Sequence, residues 1–244
     1  MSAPLSLSNA QVRKLLAMLG VTAAVAVLAV RGADGKDDIG VYDDKLYGVT
    51  PSTVKVWGCN TNPSRRKDGV AELIPGVWNM VPAIHGITTG RPRPAFRQAP
   101  DALFSVRRWN RSGIHRGYFA IDLHDGGYGS TSSLGCLTMR PDDFIELVDY
   151  LYPALAWTRA KSWDDQMGYK APRFPVVLQT ADQVRALLAQ ANTSPALPEP
   201  QGETGLKPVD LAIPGGNFTG ALLVGGQAMA PVRAFTAALQ RCLP

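Results

Sequence analysis

Residues 124–144 read HDGGYGSTSSLGCLTMRPDDF, and the chemistry of the chain is best sought there. Cys136 follows a Ser-Leu-Gly turn, and Gly135 contributes no side chain to block a close approach of backbone and substrate. Successive amides in such a turn can converge on one small volume, as an oxyanion hole requires, which makes the Gly135 and Cys136 amides candidate donors. His124 lies 12 residues upstream, at the end of an alternating segment and on the other lip of a Gly-rich loop. A thiol is only slightly ionised at neutral pH and needs an adjacent imidazole to become an efficient nucleophile. Twelve extended residues would span roughly 40 Å, so the pair meets only if strand, loop and return strand fold back on themselves. The competing reading is a small buried cysteine and a surface or satisfied core histidine.

Other residues join this list with two readings each. His85, in Ile84-His85-Gly86, either lines a substrate cleft or caps a strand end. Tyr128 either contacts substrate or covers the loop. Asp122 shares a face with His124 and either orients it or is solvated. Three cysteines and three histidines, without a CxxC pair, give neither a disulfide framework nor a zinc site. Cys59 and Cys242 read as structural or free thiols, His115 has no supporting context, and no metal or cofactor is expected.

The elements that must position these groups are short. The 244 residues include 24 Gly and 19 Pro, with 45% apolar and 18% charged residues. This composition supports a folded core with many turns and argues against a helical bundle or a disordered chain. The predicted class is mostly β with a few helices, a β-rich α+β fold. Strands are expected over 39–49, 53–58, 69–81, 102–109, 117–124, 134–139 and 174–179, with 88–100 mostly irregular because of its three prolines. Helices are expected over 140–155, where Pro141, Asp142 and Asp143 suit the first turn, and over 181–191. The apolar run 15–30 divides at Gly20 into a helix N-capped by Ser8, with Val12, Leu15, Leu16 and Leu19 on one face, followed by a buried strand. A signal segment or membrane anchor is the alternative for that run. Domain boundaries fall at 1–191, a Pro-rich linker at 192–205, and a small C-terminal module at 206–244. The net charge of +5 suits a polyanion, but the basic stretches Arg65–Lys67 and Arg91–Arg116 lack the frame of a nucleic-acid reader, so no nucleic-acid partner is expected.

From His124 onward the chain resembles the L,D-transpeptidase catalytic domain, the cysteine enzymes of bacterial cell-wall cross-linking. The resemblance is carried by Leu123-His124, the loop, Ser133-Leu134-Gly135-Cys136-Leu137-Thr138-Met139, the helix start Asp142-Asp143-Phe144, and Pro175-Val176-Val177-Leu178. It covers about residues 80–180 and is densest over 120–150. It is also similar to phage-borne proteins with the same Thr-Ser-Ser-Leu-Gly-Cys text. Leu134 stands where the family signature has histidine, Thr138 where it has arginine or asparagine, and the loop is shorter. The resemblance implies a β-sandwich or barrel core and a Cys136 thioester on peptidoglycan stem peptides. It also implies His124 as base and acid, with the Asp125 carbonyl orienting it and Ser133 in the substrate-binding turn. Arg91, Arg93 and Arg97 would suit stem-peptide carboxylates or be solvated. It leaves open hydrolysis or transpeptidation, implies a periplasmic or wall-facing location, and suggests a phage-encoded protein. The alternatives are a non-catalytic wall-binding or virion protein that keeps the fold, and a cysteine amidase with His85 as base. The tail around Pro231, Val232, Arg233 and Phe235 resembles small attachment modules of exported bacterial proteins.

Overall fold

A computed structural model describes residues 4–35, 37–193, 209–213, 216–224 and 227–229. Two compact units divide the chain at Thr193/Ser194. The first contains α1 (Asn9–Met18), β1 (Ala26–Arg31), β2 (Asp44–Val49), β3 (Val54–Asn60), β4 (Ala71–Leu73), β5 (Gly76–His85) and β6 (Arg93–Gln98). It continues with β7 (Phe104–Arg108), β8 (Ile114–Gly117), β9 (Asp122–Asp125), β10 (Leu137–Met139), α2 (Pro141–Ala154), α3 (Arg159–Asp164), β11 (Phe174–Thr180) and α4 (Ala181–Thr193). The described part of the second unit is the antiparallel sheet β12 (Val209–Ile213), β13 (Gly216–Val224) and β14 (Gln227–Met229). The linker, Cys242 and the tail around Pro231, Val232, Arg233 and Phe235 lie outside the described residues.

Eight strands close into a barrel in the order β1-β11-β5-β6-β9-β10-β3-β2, and β4-β7-β8 form a separate small sheet. The mostly-β expectation therefore holds. The barrel interior is filled by Leu46, Met80, Phe96, Leu123, Leu137, Met139, Val176 and Leu178, and α2 adds Phe144, Leu147, Val148, Leu151 and Tyr152. Phe96 sits at the centre, edge-on to Phe144, Tyr152 and Phe174. Fully burying side chains of this size stabilises the fold by about 1.5–3 kcal/mol each.

The apolar run near the N-terminus is consumed by the fold. Ser8 caps α1 in a reciprocal capping box with Gln11, and Gly20 leaves the helix at φ +75°, the left-handed region that favours glycine. Every residue of β1 is buried because its two faces meet different partners. Val27 and Ala29 point into the barrel, while Ala26, Leu28 and Val30 pack against Val12, Leu15, Leu16 and Val184 of α1 and α4. That is why the strand reads as a continuous apolar run without alternation. Among the described residues, no helix is long and apolar enough to cross a membrane.

Five segment expectations change. The 88–100 stretch is not mostly irregular: Arg93–Gln98 is β6, an interior barrel strand between β5 and β9. Its alternation of Arg93, Ala95 and Arg97 against Pro94, Phe96 and Gln98 was obscured by its prolines. The segment expected over 69–81 breaks at Pro75, so that β4 joins the small sheet while β5 runs on to His85. The segment expected over 117–124 is interrupted at Ala120, at φ +52°, and only Asp122–Asp125 enters the barrel. Residues 39–43 are turn rather than strand, and 134–136 form the bend ahead of β10. The short helix α3, capped by the Thr158 hydroxyl, was not expected from the sequence.

Candidate active site

Strands β9 and β10 run parallel, pairing Leu123 with Leu137 and His124 with Thr138. Leu123 and Leu137 face the barrel core, so His124, Asp122 and Cys136 occupy the outer face. The same alternation on β6 and β5 brings Arg93, Arg97 and His85 to that face. The topology therefore gathers a cysteine, two histidines, two arginines and an aspartate from segments up to 51 positions apart in sequence.

His124 is 2% exposed, and its Nδ1 lies 2.5 Å from the Asp125 carbonyl oxygen. A carbonyl only accepts, so Nδ1 carries the proton and Nε2 is left as the basic nitrogen. The orientation by the Asp125 carbonyl expected from the resemblance is thus present as geometry. Burial, and next the neighbouring His85, pull the His124 pKa down to about 4. The ring is neutral at pH 7.

His85 is where the sequence was least informative. Its ring stacks on that of His124 at 4.0 Å between centroids with an interplanar angle of 16°. Its Nδ1 is 2.6 Å from Asp122 Oδ2. Asp122, 1% exposed, also receives two hydrogen bonds from Arg97, at 3.1 Å and 3.3 Å. His85 therefore neither caps a strand end in isolation nor stands free in a cleft. Asp122 is neither solvated nor bonded to His124: it orients the other histidine. Arg97 is a buried ion-pair member, and Arg93 pairs with Asp125 at 2.5 Å, so neither is a solvated loop charge. Arg91 is exposed.

The expected direct thiol–imidazole bond is not the one the sulfur makes. Cys136 Sγ accepts the Asp122 amide at 3.4 Å, because register sets Cys136 opposite Asp122 and only diagonally from His124. Among the described residues, no hydrogen bond joins Sγ to the His124 ring. The residue keeps partial solvent contact, but its surroundings desolvate a thiolate. That burial, reinforced by the Asp122 carboxylate, pushes the thiol up to about 12.

The turn before Cys136 is built differently from the expectation. Gly135 adopts φ +133°, and a Cβ there would lie 2.3 Å from the Ala71 carbonyl oxygen on β4. The glycine is thus required by close packing of the chain on itself, not kept open for substrate. Ser133, 4% exposed, donates to the Cys136 carbonyl at 2.6 Å and accepts the Gly135 amide at 3.0 Å. Its hydroxyl staples the turn rather than facing a ligand, and the Gly135 amide is committed to it. Ser64 braces the same turn, donating its amide to the Ser133 carbonyl and accepting the Ser133 amide. At the other end of the loop, the Tyr42 hydroxyl donates to the Gly127 carbonyl at 2.8 Å. Tyr128 is 68% exposed and donates to Asp142 at the start of α2, while Leu134 projects into solvent.

The other cysteine among the described residues, Cys59, is sealed in the barrel core, where burial raises its thiol well above the ordinary value. Among the described residues, no group of His, Cys, Asp and Glu is arranged to hold a metal ion. Asp122 and Arg97 are the members of the cluster that the sequence reading undervalued. The signal available was the shared alternation Arg93-x-x-x-Arg97 and Asp122-x-His124, two polar ladders on adjacent strands. Compared with family models, curated proteins and solved structures, the chain matches none.

Proposed function

We propose that the protein is a cysteine acyl-transfer enzyme acting on peptidoglycan stem peptides, with an L,D-transpeptidase-like fold. One observation carries the reading. A neutral histidine, held by a backbone carbonyl in the tautomer that frees Nε2, lies on the strand adjoining the cysteine, on the same outer face of the sheet. In the resting state both partners are uncharged, so attack is general-base catalysed rather than made by a standing thiolate. Sγ leaves the Asp122 amide as it turns toward substrate. It bonds to the amide carbon while its proton passes to His124 Nε2. The resulting tetrahedral oxyanion has the Cys136 amide as the turn's candidate donor, since the Gly135 amide is held by Ser133. Collapse expels the amine, which takes the proton from His124, and leaves a thioester. Water then gives a hydrolase and an acceptor amine gives a transpeptidase. The Arg97–Asp122–His85 chain serves as a positioning wall against which the His124 ring stacks.

The test is incubation of muropeptides with the wild-type protein and with Cys136→Ala, followed by mass analysis. New products, or a mass-shifted thioester adduct, are expected from the wild type alone. Identical product patterns would remove Cys136 from the mechanism. A second reading, a non-catalytic wall-binding protein, is favoured by the high thiol pKa and by the sulfur's bond to Asp122. Sedimentation with purified cell wall, without turnover by either form, is its expected result.

A further inference from the structure

Away from the histidine pair, residues of β4 and β7, the 109–111 turn that follows β7, and the 37–39 and 62–70 segments line a cavity of about 490 Å³. Five arginines are among its lining residues, Arg65, Arg66, Arg107, Arg108 and Arg111, together with Asp37 and Glu72. Both carboxylates are engaged. Glu72 pairs with Arg31 at 2.8 Å and lies 3.9 Å from Arg107, and Asp37 accepts the Asn62 side-chain amide. Among the described residues, the buried Arg108 Nε atom has no hydrogen-bond partner, and its guanidinium lies over the Phe119 ring at 5.7 Å. The Arg66 guanidinium lies over the Trp109 ring at 5.0 Å, which restrains that one cation beside the cavity.

We propose that this cavity binds a phosphoryl anion. An excess of fork-shaped donors around one cavity suits a tetrahedral group with several oxygens, whereas a planar carboxylate fills one fork. The volume is larger than one phosphate requires, so the group can be free phosphate or a phosphodiester unit of a longer polymer. The site also adjoins the Cys136 turn. Glu72 lines the cavity while its neighbour Ala71 packs on Gly135, and Pro63 lines it while Ser64 bonds to Ser133. The inference does not depend on the proposed activity, since Cys136 takes no part in it.

Calorimetric titration at constant ionic strength tests it, with inorganic phosphate, tripolyphosphate and poly(glycerol phosphate) as probes. The wild type is compared with Arg66→Gln, Arg111→Gln and their double variant, and with Arg173→Gln as a control on a different surface. Saturable phosphate binding is expected in the wild type and the control, weakened at least tenfold in the double variant. Each exposed single variant gives an independent reading should the double variant fold poorly. Tighter binding of the polymer than of phosphate assigns the anion to a phosphodiester chain, and equal affinity assigns it to the free ion. Absence of saturable binding, unchanged binding in the variants, or equal competition by acetate overturns the proposal.

Discussion

The two arginine-bearing regions of this protein treat their charge in opposite ways. On the outer face of β6 and β9, Arg97 and Arg93 are each matched to an aspartate, and one of these, Asp122, also holds His85. In the cavity beside the small sheet, five arginines share a lining with two carboxylates, one also held by Arg31 and one by Asn62, and among the described residues the buried Arg108 Nε has no hydrogen-bond partner. Charge compensated inside the fold positions other side chains. Charge left uncompensated in a cavity is disposed to meet an external anion. A net +5 read from composition cannot distinguish the two, because the same residue type serves both.

Breaking the compensated region should have the largest effect. Asp122→Ala strands Arg97 and His85 without their partner, and loss of one member of a buried pair costs about 3–5 kcal/mol. Chemical denaturation should show this as a lowered midpoint. A shift below about 1 kcal/mol would mean that the network does not hold the face together.

The next effect is one of pH. The unfolded His124 imidazole takes a proton near 6.5, but the folded one only near 4. Its contribution is complete above pH 6.5 and declines as the pH falls toward 4, by about 3 kcal/mol, because the unfolded chain binds the proton first. Asp44, raised to about 6 by burial, has the opposite sign, since its folded form takes up a proton first and gains stability as the pH drops. The difference between wild-type and His124→Gln stability curves isolates the histidine, and a flat difference from pH 4 to 7 would refute its buried neutral state.

Gly135→Ala should cost about 1–3 kcal/mol from the positive φ alone, before the collision with the Ala71 carbonyl is relieved. Thermal melting reads it, and an unchanged midpoint would mean that β4 yields freely. The smallest effect sharpens the contrast from the other side. Arg111→Gln removes one of several like charges, so its stability should change by no more than about 0.5 kcal/mol and in the favourable direction. A loss comparable to that of Asp122→Ala would show that the cavity arginines are structural.

Much of the architecture was legible. Ser8, Gln11 and Gly20 announce α1 through local capping chemistry, and Pro141 with Asp142 and Asp143 announces α2. The strand β6 was hidden because its prolines mimic loop composition, although the Arg-Ala-Arg alternation was present. For the site, Cys136 and His124 stood out as residue types able to act together, while the carbonyl that orients the ring was expected only from the family resemblance. Asp122 did not, because its partners Arg97 and His85 lie 25 and 37 residues away.

The sequence by itself determined the mostly-β character, the helix caps, and which residue types could perform acyl chemistry, since these follow from local propensity and periodicity. Tertiary structure alone decided that the sulfur sits opposite Asp122 and only diagonally from His124. It also decided that Ser133 turns its hydroxyl inward and that one set of arginines is paired while another is not. Strand register and the low polarity of the surroundings set those outcomes, and both arise only when segments distant in the chain are brought side by side.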